Sequence, residues 1–166
     1  VDSVYYAFVS QKEDLPMKVI LINVHNSTDP TEYPGPARIA AYLREQGIDT
    51  KLMHIDINSE YSPDVYAREA ISKLPIDYDF YGFTLFETNA SYVYALAKLL
   101  KNKKPESFVF SGGHFAATAA DSVLEDCQYI DFVVLGDGEY PMVNVIRAVE
   151  EGKDPSEIQA IKTRDD

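Results

Sequence analysis

Short apolar runs alternate along this chain with longer stretches in which apolar residues recur at helical spacing. The run from Val19 to Ile22 is continuous, as is typical of a strand buried on both faces of a parallel sheet. Ser62-Pro63-Asp64 combines a capping hydroxyl, a first-turn proline and an acid near the positive end of a helix. The pattern predicts strands at 17–24, 50–55, 80–85, 107–111 and 131–135, and helices at about 37–46, 62–74, 90–104, 115–125 and 141–151.

This alternation of strand and helix predicts an α/β fold. Right-handed crossovers favour a three-layer, Rossmann-like (flavodoxin-like), doubly wound sheet of five parallel strands in the order 2-1-3-4-5. We expect the domain to span 17–152, with an N-terminal extension at 1–16 and a linker at 153–166. Ligands of such sheets bind at the carboxyl ends of the strands, so the loops that follow the strands are the candidate sites.

Composition narrows the classes of function. The chain has 27 Asp and Glu against 15 Lys and Arg, and its net charge of −12 repels nucleic acid. No apolar run approaches the ~20 residues of a membrane helix, so no membrane association is expected. The single Cys127 excludes an internal disulfide, a zinc ribbon and a three-thiolate iron–sulfur site built from this chain alone. We expect a cytoplasmic protein.

Two glycine-containing loops follow the last two predicted strands: SGGHF at 111–115 and GDGEYP at 136–141. Glycines at a strand end let the backbone approach a bulky ligand, although they can equally serve only a tight turn. The second loop has the first two glycines of the dinucleotide fingerprint G-x-G-x-x-G. Pro141 replaces the third glycine, however, and the loop follows strand five rather than strand one. The sequence therefore does not predict a dinucleotide site.

The chain has three histidines, His25, His54 and His114, and the first and last fall on the predicted ligand edge. Two of them with Glu87 or Asp29 can form a metal site. Single histidines without a second ligand three or four residues away are more typical of solvated or capping residues. Both interpretations stay open on the residues alone.

Five segments in order along the chain carry a further signal: KVILIN at 18–23, AAYLREQG at 40–47, GFT at 82–84, SGGHFA at 111–116 and VVLGDGE at 133–139. As an ordered set with these spacings, they resemble the cobalamin-binding domain that precedes the barrel of cobalamin-dependent radical S-adenosylmethionine (SAM) enzymes. The resemblance covers about residues 17–149.

The resemblance implies a cobalamin-binding module that supports methyl transfer or a related radical reaction. A barrel domain outside this chain would complete the reaction, and SAM and the iron–sulfur cluster are expected only there, because this chain lacks the motif C-x-x-x-C-x-x-C. No catalytic residue is expected in the chain itself. The implied cofactor-binding residues are His25, Asn26, Ser27, Thr84, Leu85, Phe86, Glu87, Thr88, Ser111, Gly112, Gly113, His114, Phe115, Gly136, Asp137, Gly138 and Glu139.

One departure concerns the axial ligand of cobalt. Methylcobalamin and mutase domains carry D-x-H-x-x-G after strand one, and their histidine replaces the nucleotide base on cobalt. Here Asn23 stands for the acid and Thr28 for the glycine, which leaves His25 as a candidate ligand in an incomplete motif. Without the carboxylate that orients the imidazole, we expect base-off cobalamin with no histidine on cobalt.

Two alternatives belong to other functional classes. A flavodoxin-like protein would bind flavin or a nucleotide at the same edge, but residues 23–30 contain hydroxyls without the glycine of a phosphate loop. A degenerate domain would bind no ligand and would only pack against a barrel. The visible spectrum after incubation with hydroxocobalamin or flavin separates the three.

Overall fold

The computed structural model describes residues 16–25 and 34–164, a range in which strands and helices alternate. Residues 1–15 of the predicted N-terminal extension and the loop residues Asn26, Ser27 and Asp29 lie outside the described residues. The strands are β1 (Lys18–His25), β2 (Asp49–Asp56), β3 (Phe80–Thr84), β4 (Phe108–Gly112), β5 (Phe132–Val134) and β6 (Ile161–Lys162). The helices are α1 (Pro34–Glu45), α2 (Pro63–Lys73), α3 (Ala90–Lys103), α4 (His114–Thr118), α5 (Ala120–Asp126) and α6 (Glu139–Glu150).

The sheet has the order β2-β1-β3-β4-β5-β6. Strands β1 to β5 are parallel, which confirms the predicted order 2-1-3-4-5. The short β6 pairs antiparallel with β5 and adds a sixth strand at that edge. The carboxyl ends of β1, β3, β4 and β5 therefore lie side by side, which brings the predicted ligand loops together.

Helices cover both faces of the sheet, and each face has its own buried core. On one face Ile20, Tyr81 and Val109 pack with residues of α2, α3 and α5. On the other face Leu21 and Phe110 pack with residues of α1 and α6. Because successive strand residues point to opposite faces, neighbours such as Phe110 and Ser111 belong to different layers.

Local signals in the sequence account for several element ends. Ser62 caps α2 by accepting a hydrogen bond from the Val65 N–H, with Pro63 in the first turn. Gly47, just after α1, has a φ of +81°, a conformation that residues with a Cβ rarely adopt. The predicted helix start at Ser62-Pro63-Asp64 is confirmed, and Gly47 lies just beyond the predicted end of the first helix.

The prediction of one continuous helix over 115–125 is wrong, because α4 ends at Thr118 and α5 begins at Ala120. The backbone of Ala119 between them is not helical, with φ −116° and ψ 28°. The Thr118 hydroxyl donates to the carbonyls of His114 and Phe115, and such local bonds compete with the regular helical ladder. Two short helices thus replace one.

The segment that follows α6 is held against the rest of the domain by hydrogen bonds. Leu135 N–H donates to the Ala160 carbonyl just before β6. The Arg164 guanidinium donates to the backbone carbonyls of Leu124, Cys127 and Ile130. Part of the predicted linker at 153–166 is therefore ordered against the sheet edge. Within 16–25 and 34–164, no helix combines the length and the apolar character needed to cross a membrane.

Candidate functional site

A cavity of about 250 Å³ opens at the carboxyl edge of the sheet, on the face covered by α1 and α6. It lies above β1, β3, β4 and β5, where the doubly wound fold places ligand sites. The described residues that line it are Leu21, Pro34, Gly35, Pro36, Arg38, Ile39, Gly82, Phe83, Thr84, Phe86, Phe110, Gly112, Gly113, His114, Val134, Gly136, Asp137, Gly138, Glu139 and Met142.

The floor of this cavity is a flat apolar row that crosses three strands. Leu21, Gly82 and Phe110 are register partners on β1, β3 and β4, so they lie side by side on one face. A Cβ at Gly82 would lie 2.3 Å from Phe110 Cζ and 2.8 Å from Leu21 Cδ2. The two neighbouring side chains thus meet over the glycine and close the floor. Met142 of α6 and Val134 of β5 are also buried and complete the apolar lining.

The rim, in contrast, is polar and exposed. Gly113, His114, Gly136 and Asp137 are exposed at the ends of β4 and β5. An ion pair between Arg38 of α1 and Glu139 of α6, with 2.9 Å between Nη2 and Oε1, joins the two helices beside the cavity. The Arg38 side chain is 68% exposed and that of Glu139 only 14%. A ligand that fits this gradient has an apolar part for the floor and a polar part that remains at the surface.

The loop after β3 is held in place by a buried amide. Asn89 Nδ2 donates to the carbonyls of Val24 and Thr84, and Asn89 Oδ1 accepts from the Phe86 N–H. Because the amide ties this loop to the ends of β1 and β3, it fixes Phe86 at the cavity wall. Thr84 Oγ1 in turn donates to Asn23 Oδ1 at 3.0 Å, which couples the ends of the same two strands.

Comparison with known proteins identifies the domain. The family model described as the B12 binding domain matches residues 17–146, most of the chain. The chain belongs to the B12-binding domain family. This match confirms the resemblance and decides in favour of cobalamin over flavin as the cofactor of the fold.

Two curated proteins share part of this B12-binding domain's sequence. The hopanoid C-3 methylase of Methylococcus capsulatus is 34% identical over 107 residues, which is 63% of this chain and 20% of that protein. The anaerobic magnesium-protoporphyrin IX monomethyl ester cyclase of Rubrivivax gelatinosus is 25% identical over 143 residues, 82% of this chain and 25% of that protein. The chain thus spans a fifth to a quarter of the length of these relatives.

Solved structures show the same fold as this B12-binding domain. One is the radical SAM methyltransferase TsrM from Kitasatospora setae, solved with cobalamin and a [4Fe-4S] cluster bound. It superposes with a TM-score of 0.67 at 16% sequence identity, and the match covers 89% of this chain and 27% of the TsrM chain. The cobalamin-dependent radical SAM enzyme OxsB, with aqua-cobalamin and SAM bound, gives 0.65 at 14% identity over 89% of this chain and 20% of its own. At these identities the likeness establishes the fold.

The structure brings together about half of the residues that the sequence nominates for the B12-binding site. Those that line the cavity are Thr84, Phe86, Gly112, Gly113, His114, Gly136, Asp137, Gly138 and Glu139. Leu85 and Phe115 pack against the core on the opposite face, and Glu87 and Thr88 are exposed in the loop before α3. Ser111 is fully buried on that opposite face, and its hydroxyl has no hydrogen-bond partner among the described residues.

Three of the nominated glycines have different physical roles. Gly113 has a φ of +99°, so a residue with a Cβ would strain the backbone there. A Cβ at Gly138 would lie 2.7 Å from Ile39 Cδ1, so this glycine permits α1 to pack closely against the start of α6. A Cβ at Gly112 would make an ordinary contact with Val134 Cβ, at 3.8 Å, and would approach no other described residue closely. Of these three, Gly112 is the one whose missing side chain leaves room for a ligand.

Sequence reasoning missed the floor and the helical wall of the cavity. It selected residues at the strand ends or just beyond them, whereas Leu21, Gly82 and Phe110 lie further back within the strands. The strand period of two is the signal that could have found them, since Gly82 precedes Thr84, and Phe110 precedes Gly112, by two positions. No such spacing points to Arg38 or Ile39, which the packing of α1 brings to the cavity.

His25 lies at the end of β1 beside residues of β2. Its Nε2 is 3.7 Å from Asp56 Oδ1, and its ring centroid is 5.7 Å from that of His54. Its Nδ1 is buried without a hydrogen-bond partner in the described part of the chain. The side-chain oxygen of Asn23 at the motif's acid position accepts from Thr84. No group of three or more His, Cys, Asp or Glu side chains within 16–25 and 34–164 is placed to hold a metal ion.

Proposed function

We propose that this domain holds cobalamin in its base-off form, with the lower nucleotide base in the cavity between the sheet and helices α1 and α6. One observation carries the proposal: the cavity is flat and apolar at its floor and polar at its rim, and it lies at the ligand edge of a B12-binding fold. A volume of about 250 Å³ is below the ~300–1,000 Å³ typical of sites for whole drug-sized ligands. It suits one part of a larger ligand, such as the aromatic base of the nucleotide tail.

The residues of the chain bind and orient the cofactor. The floor formed by Leu21 and Phe110 would contact the base, and Gly112 would let the tail pass β4 without a side chain in its way. The exposed backbone at Gly113 and Gly136 would face the corrin. When bound, cobalamin supplies a cobalt ion that carries an alkyl group between reaction partners.

The parent enzyme is proposed to complete the chemistry outside this domain. The similar proteins include a methylase and two radical SAM enzymes, and this chain covers only about a fifth to a quarter of each. We therefore propose that SAM and an iron–sulfur cluster are bound by a radical SAM domain in the same polypeptide, which acts with this module in methyl transfer or a related radical reaction. The cytoplasmic location inferred from the single cysteine belongs to the same proposal.

The test is retention of cofactor colour. The chain is incubated with hydroxocobalamin, and separately with flavin mononucleotide, and each mixture is desalted. We expect corrin absorbance to elute with the protein at about one equivalent and flavin absorbance to be removed. A colourless protein in both cases would show a domain that only packs against its neighbour, and a yellow protein would show the flavodoxin-like alternative.

A further inference from the structure

The polar groups at the cavity floor are already engaged. Leu21, Gly82 and Phe110 lie in β1, β3 and β4, each of which is paired with a strand on both sides, so their backbone groups belong to the sheet ladder. The Gly112 carbonyl accepts from the Leu85 N–H. The Thr84 hydroxyl donates its proton to Asn23. Among the described residues, the floor would therefore present apolar surface and no side-chain donor to a base placed on it.

The charged and polar side chains of the lining lie elsewhere. Arg38 and Glu139 are paired with each other, and Asp137 and His114 are exposed at the rim. A ligand group that reaches the floor would lie beyond these side chains and out of contact with them. The cavity thus separates the polar and apolar parts of an entering ligand.

From this arrangement we infer that the domain discriminates among cobamides by their lower base and selects a benzimidazole over a purine. The inference rests on the proposed function, because it assigns the base to this cavity. Dimethylbenzimidazole presents methyl groups and a hydrocarbon edge, which suit Leu21, Phe110, Val134 and Met142. Adenine instead carries an exocyclic amine and ring nitrogens that are hydrogen-bonded in water. On this floor the described side chains offer the ring nitrogens no N–H or O–H donor, which costs affinity.

The test is an equilibrium titration of the chain with two hydroxo-cobamides, cobalamin and its analogue with adenine as the lower base, followed by corrin absorbance. We expect cobalamin to bind at least about tenfold more tightly, or about 1.4 kcal/mol. Equal affinities would overturn the inference but leave the proposed function intact. Failure of both cobamides to bind would overturn the proposed function, and the inference with it.

A pair of isosteric variants shows whether the cavity itself is the source of the preference. Val134→Thr places one hydroxyl in the cavity wall, where it can serve a purine nitrogen, and we expect the cobalamin-to-analogue affinity ratio to fall at least about threefold. Val109→Thr makes the same change at a buried β4 position in the opposite core, and should keep the original ratio. A ratio that moves equally in both variants, or in neither, would show that the selectivity does not arise at this floor.

Discussion

Gly112→Val is the substitution that separates cofactor binding from folding most cleanly. Gly112 lies in β4 and lines the cavity, and a Cβ there would be in ordinary contact with Val134 Cβ at 3.8 Å. The folded chain therefore has room for a Cβ at this position, and the residue lines the cavity, into which a larger side chain can extend. Because glycine within a strand costs roughly 0.5–1 kcal/mol, we expect the free energy of unfolding to stay level or rise slightly.

The same valine should weaken cobalamin binding. Its methyl groups would occupy space that the ligand needs, and overpacking of this kind costs about 1–3 kcal/mol. That range corresponds to an affinity loss of roughly 5- to 150-fold. Gly112→Ala adds a single carbon and should give a smaller loss. Gly113 cannot serve the same purpose, because its φ of +99° would make a valine variant unstable whatever the ligand does.

The assay combines spectrophotometric titration with hydroxocobalamin and urea unfolding of the unliganded variants. The expected result is a graded loss of affinity, wild type to Ala to Val, with no loss of stability. A folded Gly112→Val variant that binds cobalamin within twofold of wild type would refute the assignment of this cavity to the cofactor.

Three further expectations concern His25, Ser111 and Cys127. His25→Ala should leave the cobalt(II) electron paramagnetic resonance spectrum of bound cobalamin unchanged, because Asn23 offers no carboxylate to orient the ring; axial-nitrogen splitting that disappears in the variant would contradict this. Ser111→Val should raise the free energy of unfolding by about 1 kcal/mol, because it removes a buried hydroxyl that has no partner in the described part of the chain. Since that side chain faces away from the cavity, a tenfold loss of cobalamin affinity would place Ser111 in the site after all. Burial raises the pKa of the Cys127 thiol, so the stability that the neutral thiol contributes is lost as pH rises through that pKa. Because iodoacetamide reacts with the thiolate, it should label the native chain about tenfold more slowly than the urea-unfolded chain. Equal labelling rates would contradict the burial of Cys127.

The strand order follows from the sequence because its signals are local and the topology rules are strict. The continuous apolar run in β1 and the capping residues at Ser62 need no tertiary information. The interruption between α4 and α5 at Ala119 was not predictable in this way. The apolar spacing of the region predicts one helix, and the hydrogen bonds of the Thr118 side chain interrupt it. The pairing of β6 with β5 involves only two residues, too few for a periodic pattern.

The candidate site was predictable where it consists of loop backbone and unpredictable where it depends on packing. Gly112 and Gly136 could be nominated because they come directly after predicted strands, at a ligand edge. The closure of the floor by Leu21 and Phe110 over Gly82 is a contact between three strands, and nothing in one strand specifies it. Ser111 was nominated because it stands next to the two glycines, but that position does not show which face of the sheet its side chain occupies. In the structure the side chain is buried on the face opposite the cavity.

Amide hydrogen exchange of the chain with and without hydroxocobalamin tests the central claim most directly, because it locates the ligand on the fold. If cobalamin enters the cavity between the sheet and α1 and α6, protection should increase in the segments 34–39, 82–86, 110–114 and 134–142, which supply its lining. The groove formed by residues 55–73 between β2 and α2 should exchange as before. Protection confined to that groove, or no added protection at a saturating concentration of hydroxocobalamin, would contradict the account.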